Sequence, residues 1–197
     1  MVTLLDAPEL FVTLSSKNFV SSSRDCTILD ADGAEVATAA DTSGGSGRLV
    51  RTLLGSGRAR YTWSVRDPDG NRLLEVVKPR TSVRGPSPEV SFADGSLLGT
   101  AVPGKGMSTT TPARFEGPDG TVFGELVPAL GERRSQPVLM YRVREEDGAE
   151  VGEIALQTEG DWGFHLTFRD DADLSVRALT VGWTLCLVQQ RSTTSAP

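Results

Sequence analysis

Asp119-Gly120-Thr121-Val122-Phe123-Gly124 is one of five near-copies of a short string, and its reading decides the fold. The others are Asp32-Gly33-Ala34-Glu35-Val36-Ala37, Asp69-Gly70-Asn71-Arg72-Leu73-Leu74, Asp94-Gly95-Ser96-Leu97-Leu98-Gly99 and Asp147-Gly148-Ala149-Glu150-Val151-Gly152. Asp-Gly accepts the positive φ angles of tight turns, and between apolar runs it signals a β-hairpin. Upstream of each copy lies a β-branched or aromatic run: Thr27-Ile28-Leu29, Tyr61-Thr62-Trp63-Ser64-Val65, Val90-Ser91-Phe92, Ala113-Arg114-Phe115 and Met140-Tyr141-Arg142-Val143-Arg144. The Tyr61 and Met140 runs alternate apolar and polar residues, as a strand with one buried face does. A Gly or Ala closes most copies, and a small residue inside a strand marks a bend or the close approach of another backbone.

The turns are 37, 25, 25 and 28 residues apart, so the units match while their linkers differ. A propeller blade holds four strands, whereas each unit here has room for about two. Twelve strands are expected, near residues 10–14, 26–30, 34–39, 60–66, 72–77, 89–93, 97–102, 112–116, 121–127, 138–144, 150–156 and 163–169. An antiparallel sheet of that width curls, and closing it removes the edges that invite aggregation. Its lumen would be too wide for neighbouring strand side chains to fill. Beyond the strands, Asp170, Asp171 and Asp173 suit a helix N-cap and first turn. The run Leu174–Val188 that follows carries one charge, Arg177. At about 15 residues it is shorter than the ~20 a bilayer requires, so a helix buried in the barrel is the expectation.

With these features in view, the chain resembles the tubby-like superfamily, in its phospholipid-scramblase and LURP-one-related branch, found in bacteria and plants. The resemblance covers almost the whole chain. It rests on Leu5-Asp6-Ala7-Pro8-Glu9-Leu10-Phe11-Val12, on the paired-strand units built on Asp-x-Asp-Gly or Asp-Gly, and on Asp171-Ala172-Asp173 leading into Ala178-Leu179-Thr180-Val181. It implies a closed twelve-stranded antiparallel barrel threaded by a C-terminal helix, in a single domain over residues 1–191 with a disordered tail at 192–197. At Gly182-Trp183, where relatives often place an acidic residue, different packing of the helix is expected.

Composition bounds the function. The N-terminus has no basic region followed by an apolar stretch, so no signal peptide is expected and a cytoplasmic location is. Cys26 and Cys186, the only cysteines, both lie in apolar runs and read as buried thiols in a reducing compartment. The net charge of −6 and three scattered Trp residues disfavour a nucleic-acid surface. That charge is unevenly spread. Residues 48–84 carry nine basic side chains against three acidic ones, a net of +6, which leaves −12 on the remainder. Within this stretch Leu49, Val50, Leu53 and Leu54 define one face of a short helix between Gly44-Gly45-Ser46-Gly47 and Gly55-Ser56-Gly57, with Arg48 and Arg51 on its flank. Such a helix can dock on an anionic membrane or a partner, or cover one end of the barrel. The candidate lipid-binding residues are Arg48, Arg51, Arg58, Arg60, Lys78, Arg80 and Arg84.

Catalytic signatures fail on inspection. Gly99–Gly106 copies the spacing of a phosphate-binding loop, but Gly106 stands where the metal-bound hydroxyl belongs and no helix pattern follows. The single histidine, His165, cannot build a multi-histidine metal site, and no Ser-His-Asp grouping is spaced for catalysis. Asp170, Asp171 and Asp173 resemble the acidic stretch before the last helix of animal scramblases, a proposed calcium loop, but lack a regular ladder of oxygen ligands. No catalytic residue, metal or cofactor is assigned. The expected function is non-enzymatic recognition of anionic phospholipid or a membrane-associated partner, as the resemblance implies. The alternatives are a protein-interaction scaffold without a lipid role and scramblase-type lipid transport.

Overall fold

The computed structural model describes residues 3–14, 25–42, 60–79, 87–104, 112–129, 138–157 and 163–191. Twelve antiparallel strands close into one barrel. They are β1 (Glu9–Leu14), β2 (Cys26–Leu29), β3 (Glu35–Asp41), β4 (Tyr61–Arg66), β5 (Arg72–Lys78), β6 (Glu89–Phe92), β7 (Leu97–Pro103), β8 (Ala113–Glu116), β9 (Val122–Pro128), β10 (Val138–Glu145), β11 (Glu150–Gln157) and β12 (Gly163–Phe168). Each strand pairs with its sequence neighbours, and β1 closes the ring against β12 with Leu10 opposite Leu166. The expected strands all occur, displaced by one or two residues at their ends.

The five Asp-Gly copies form turns of one design. In the fourth, the Gly120 N–H donates to the Gly117 carbonyl at 3.0 Å and Gly120 takes φ 83°, while Asp119 Oδ1 accepts the Thr121 N–H at 2.9 Å. Glycine therefore follows the two central turn residues, in the three-residue hairpin loop that leads into a bulge. The bulge recurs three residues after each turn glycine. Val36, Leu73, Leu98, Phe123 and Val151 are skipped by the pairing. Just beyond, the strands crowd together: a Cβ on Gly152 would stand 2.3 Å from the Thr167 carbonyl oxygen, and one on Gly124 2.2 Å from that of Arg144. Repeated bulges followed by small residues bend the sheet far enough to close.

Helix α1 (Leu174–Arg191) fills the lumen. It runs three residues past the expected apolar segment, and its 18 residues extend about 27 Å, against about 23 Å for a seven-residue strand. Asp173 Oδ1 caps it by accepting the Ser175 N–H at 2.7 Å, while its first turn holds no acidic residue. From Val176 to Gln189 every side chain with polar or apolar atoms is buried. The hydroxyls of Thr180 and Thr184 donate to the carbonyls of Val176 and Thr180 at 2.7 and 2.9 Å, so neither leaves an unmade hydrogen bond in the core. No described helix is long and apolar enough to cross a membrane.

Candidate functional site

Strand direction gives the barrel two unlike ends. The Asp-Gly turns, the entry into β1 and the start of α1 share one end, here the turn rim. The opposite end, the loop rim, receives the ends of β3 and β5, the starts of β4 and β6 and the last turn of α1.

The turn rim is acidic. Asp30, Asp32, Asp67, Asp69, Asp94, Asp119, Glu146 and Asp147 lie in or beside its hairpin turns, with Asp170 and Asp171 after β12. Many of these carboxylates are engaged in the turns themselves. Asp94 accepts from both the hydroxyl and the N–H of Ser96, which holds its pKa below the usual value, the hydroxyl contributing most. Asp67 is lowered chiefly by the Asn71 side-chain amide, and Asp119 by the Thr121 N–H. Asp171 pairs with Arg169 at 2.6 Å, and Asp173 is spent on the helix cap. Among the described residues, no three His, Cys, Asp or Glu side chains gather as metal ligands would.

At the loop rim the structure describes two of the seven candidate lipid-binding residues. Arg60 is exposed immediately before β4. Lys78, opposite Tyr61 in the β4–β5 ladder, is buried at 1% exposure. It continues the inward register of Leu74 and Val76, with its Nζ 5.7 Å from the Tyr61 ring centroid. Tyr61 in turn stacks on Trp63 at 5.5 Å. Burial lowers the Lys78 pKa, with the neighbouring Cys186 opposing, and the Cys186 thiol is pushed up to about 12 by burial. So placed, Lys78 lines the lumen and does not present its ammonium to a surface outside the barrel, a correction to its reading as a surface cation. Arg48, Arg51, Arg58, Arg80 and Arg84 lie outside the described residues, as does the expected amphipathic helix with its flanking glycines.

The rejected motifs also find their places. Gly99–Pro103 belongs to β7, and the Gly99 Cα backs onto the Glu116 carbonyl; Lys105 and Gly106 lie outside the described residues. His165 stands on the outer face of β12, stacked on Phe11 at 4.4 Å with Nε2 3.4 Å from a Glu9 carboxylate oxygen. Cys26 and Cys186 are both buried free thiols, and burial raises Cys26 to about 12 as well. The outer wall carries ion pairs between and along strands, among them Arg142–Glu150 and Arg144–Glu125.

One residue that sequence reasoning treated only as a lone charge organises the turn rim. Arg177 is buried at 3% exposure, and its five N–H groups meet five carbonyls. Nε donates to Ala172, Nη1 to Leu5 and Ala7, and Nη2 to Arg169 and Asp170. The guanidinium also lies over the Phe168 ring at 5.3 Å. Comparisons with protein-family models, curated proteins and solved structures yield no match.

Proposed function

We propose that this chain is a non-enzymatic binding module of the tubby-like type that meets an anionic phospholipid surface with its loop rim. The observation that carries the reading is strand polarity. Asp41, Tyr61, Lys78 and Glu89, which bound the two connections rich in arginine, all belong to neighbouring strand ends at one rim. Arg48, Arg51, Arg58 and Arg60 lie in the first connection, and Arg80 and Arg84 in the second. Two arginine-rich stretches of sequence thus run between strand ends at one rim, and the turns at the other carry a concentration of described carboxylates. A polarised charge distribution of this kind attracts the basic end to an anionic leaflet and turns the acidic end away.

The barrel filled by its own terminal helix agrees with what the resemblance implies, and the interior is packed with side chains. A surface-binding role suits such a body better than transport through it. The reading places the protein in the cytoplasm, peripheral at the inner membrane face. Co-sedimentation with phosphatidylserine-containing vesicles, with phosphatidylcholine vesicles as the neutral control, tests it. Binding only to the anionic vesicles supports the proposal, and no binding to either leaves the protein-scaffold reading in front.

A further inference from the structure

At the turn rim, five strand pairs are joined by Asp-Gly hairpins: β2–β3, β4–β5, β6–β7, β8–β9 and β10–β11. The remaining pair, β12–β1, has no covalent connection there. The chain enters through Thr3–Pro8 and leaves through Arg169–Asp173 into α1. Arg177 spans that gap. Two of its carbonyl partners, Leu5 and Ala7, belong to the entering segment, and three, Arg169, Asp170 and Ala172, to the leaving one. The Phe168 N–H also donates across the seam to the Pro8 carbonyl at 2.7 Å, and along the strands His165 stacks on Phe11.

We propose that the β1–β12 seam is the element through which this barrel opens, and that Arg177 is its latch. A hairpin turn holds its strands together by covalent connection, so separating them means unfolding the turn. The seam relies on non-covalent contacts alone, and β1 is tied to the barrel covalently only at its other end. Arg177 makes the seam cooperative. Withdrawal of Thr3–Pro8 takes two acceptors from the guanidinium, while loss of the guanidinium takes a donor from five carbonyls, of which Arg169 keeps the Ala172 N–H. The entering segment and the start of the helix therefore release together. Leu4 and Ala7, both 1% exposed, leave with it and uncover the helix start. Opening would bare the facing edges of β1 and β12, the surface on which another extended chain can pair.

Amide hydrogen exchange resolves this strand by strand. In the wild-type chain, peptides covering 9–14 and 163–168 are expected to exchange roughly tenfold or more faster than those covering 61–66 and 72–78. Arg177→Met should widen that gap by about another tenfold. Removing residues 1–7 should have the same effect, and combining the two changes should add little further. Equal protection of seam and hairpin strands in the wild-type chain would overturn the proposal, even if Arg177→Met fails to fold. So would a uniform fall in protection across the barrel in either variant.

Discussion

Gly182 faces Val90 so closely that a Cβ on the glycine would stand 2.6 Å from Val90 Cγ2. This is how α1 sits within the barrel: its glycine is pressed against β5 and β6, while Trp183, one residue on, meets the Tyr141 ring of β10 edge to face at 5.9 Å. The Gly-Trp pair is a small-large step that fits the helix between unequal walls. Gly182→Ala should destabilise the fold by about 1–3 kcal/mol through overpacking, outweighing a helix-propensity gain of up to about 1 kcal/mol. Val90 is fully buried and β-branched, so it has little room to turn aside. Chemical denaturation of Gly182→Ala, Val90→Ala and the double variant checks this, with the double variant recovering part of the sum of the single losses.

The turn glycines should separate from an ordinary loop glycine. Gly95 and Gly120 have φ of 86° and 83° and open space around the Cβ position, so strain there comes from the backbone alone. Gly95→Val and Gly120→Val should each cost about 1–2 kcal/mol. Gly104, which stands outside the Asp-Gly turns, should lose less on the same change. Equal losses at all three positions would show that positive φ is not what these turns require.

Lys78 gives a pH signature. Burial lowers its folded-state pKa below the ordinary 10.5, so the folded state disfavours the proton that the unfolded chain still holds. Its unfavourable contribution is fully present below the folded pKa and fades as pH rises from there toward 10.5. The buried thiols act in the opposite sense: raised from 9.0 to about 12, they lose stability as pH climbs through that interval. The difference in unfolding free energy between wild type and Lys78→Met isolates the lysine. It should shift in favour of the wild type between pH 7 and about pH 10, and a flat difference would place the ammonium in a solvated setting.

Much of the barrel was legible because its signals are local. Asp-Gly turns, alternating runs and the small residue after most bulges reveal themselves within a few residues of one another, and the nearly uncharged run of α1 announces its burial. Arg177 was not legible in the same way. Its acceptors on Leu5 and Ala7 are 172 and 170 residues distant, and they are main-chain carbonyls that every residue possesses. Lys78 was readable in principle, since Leu74, Val76 and Lys78 share one parity in β5, but its charge outweighed its position. The basic stretch was visible as composition. That its two arginine-rich connections join strand ends at one rim came only from knowing which way each strand runs.

The most direct measurement is vesicle binding by a variant with Arg48, Arg51 and Arg58 all changed to Gln. Each basic residue near an anionic surface contributes about 1 kcal/mol, so three losses should weaken binding to phosphatidylserine vesicles by roughly two orders of magnitude at low salt. The melting temperature should stay nearly unchanged, because none of the described core residues is altered. Raising ionic strength should weaken the wild type toward the variant as screening shortens the reach of the charges. Wild-type protein that ignores anionic vesicles at low salt, or a triple variant that binds them as well as the wild type does, would contradict the account.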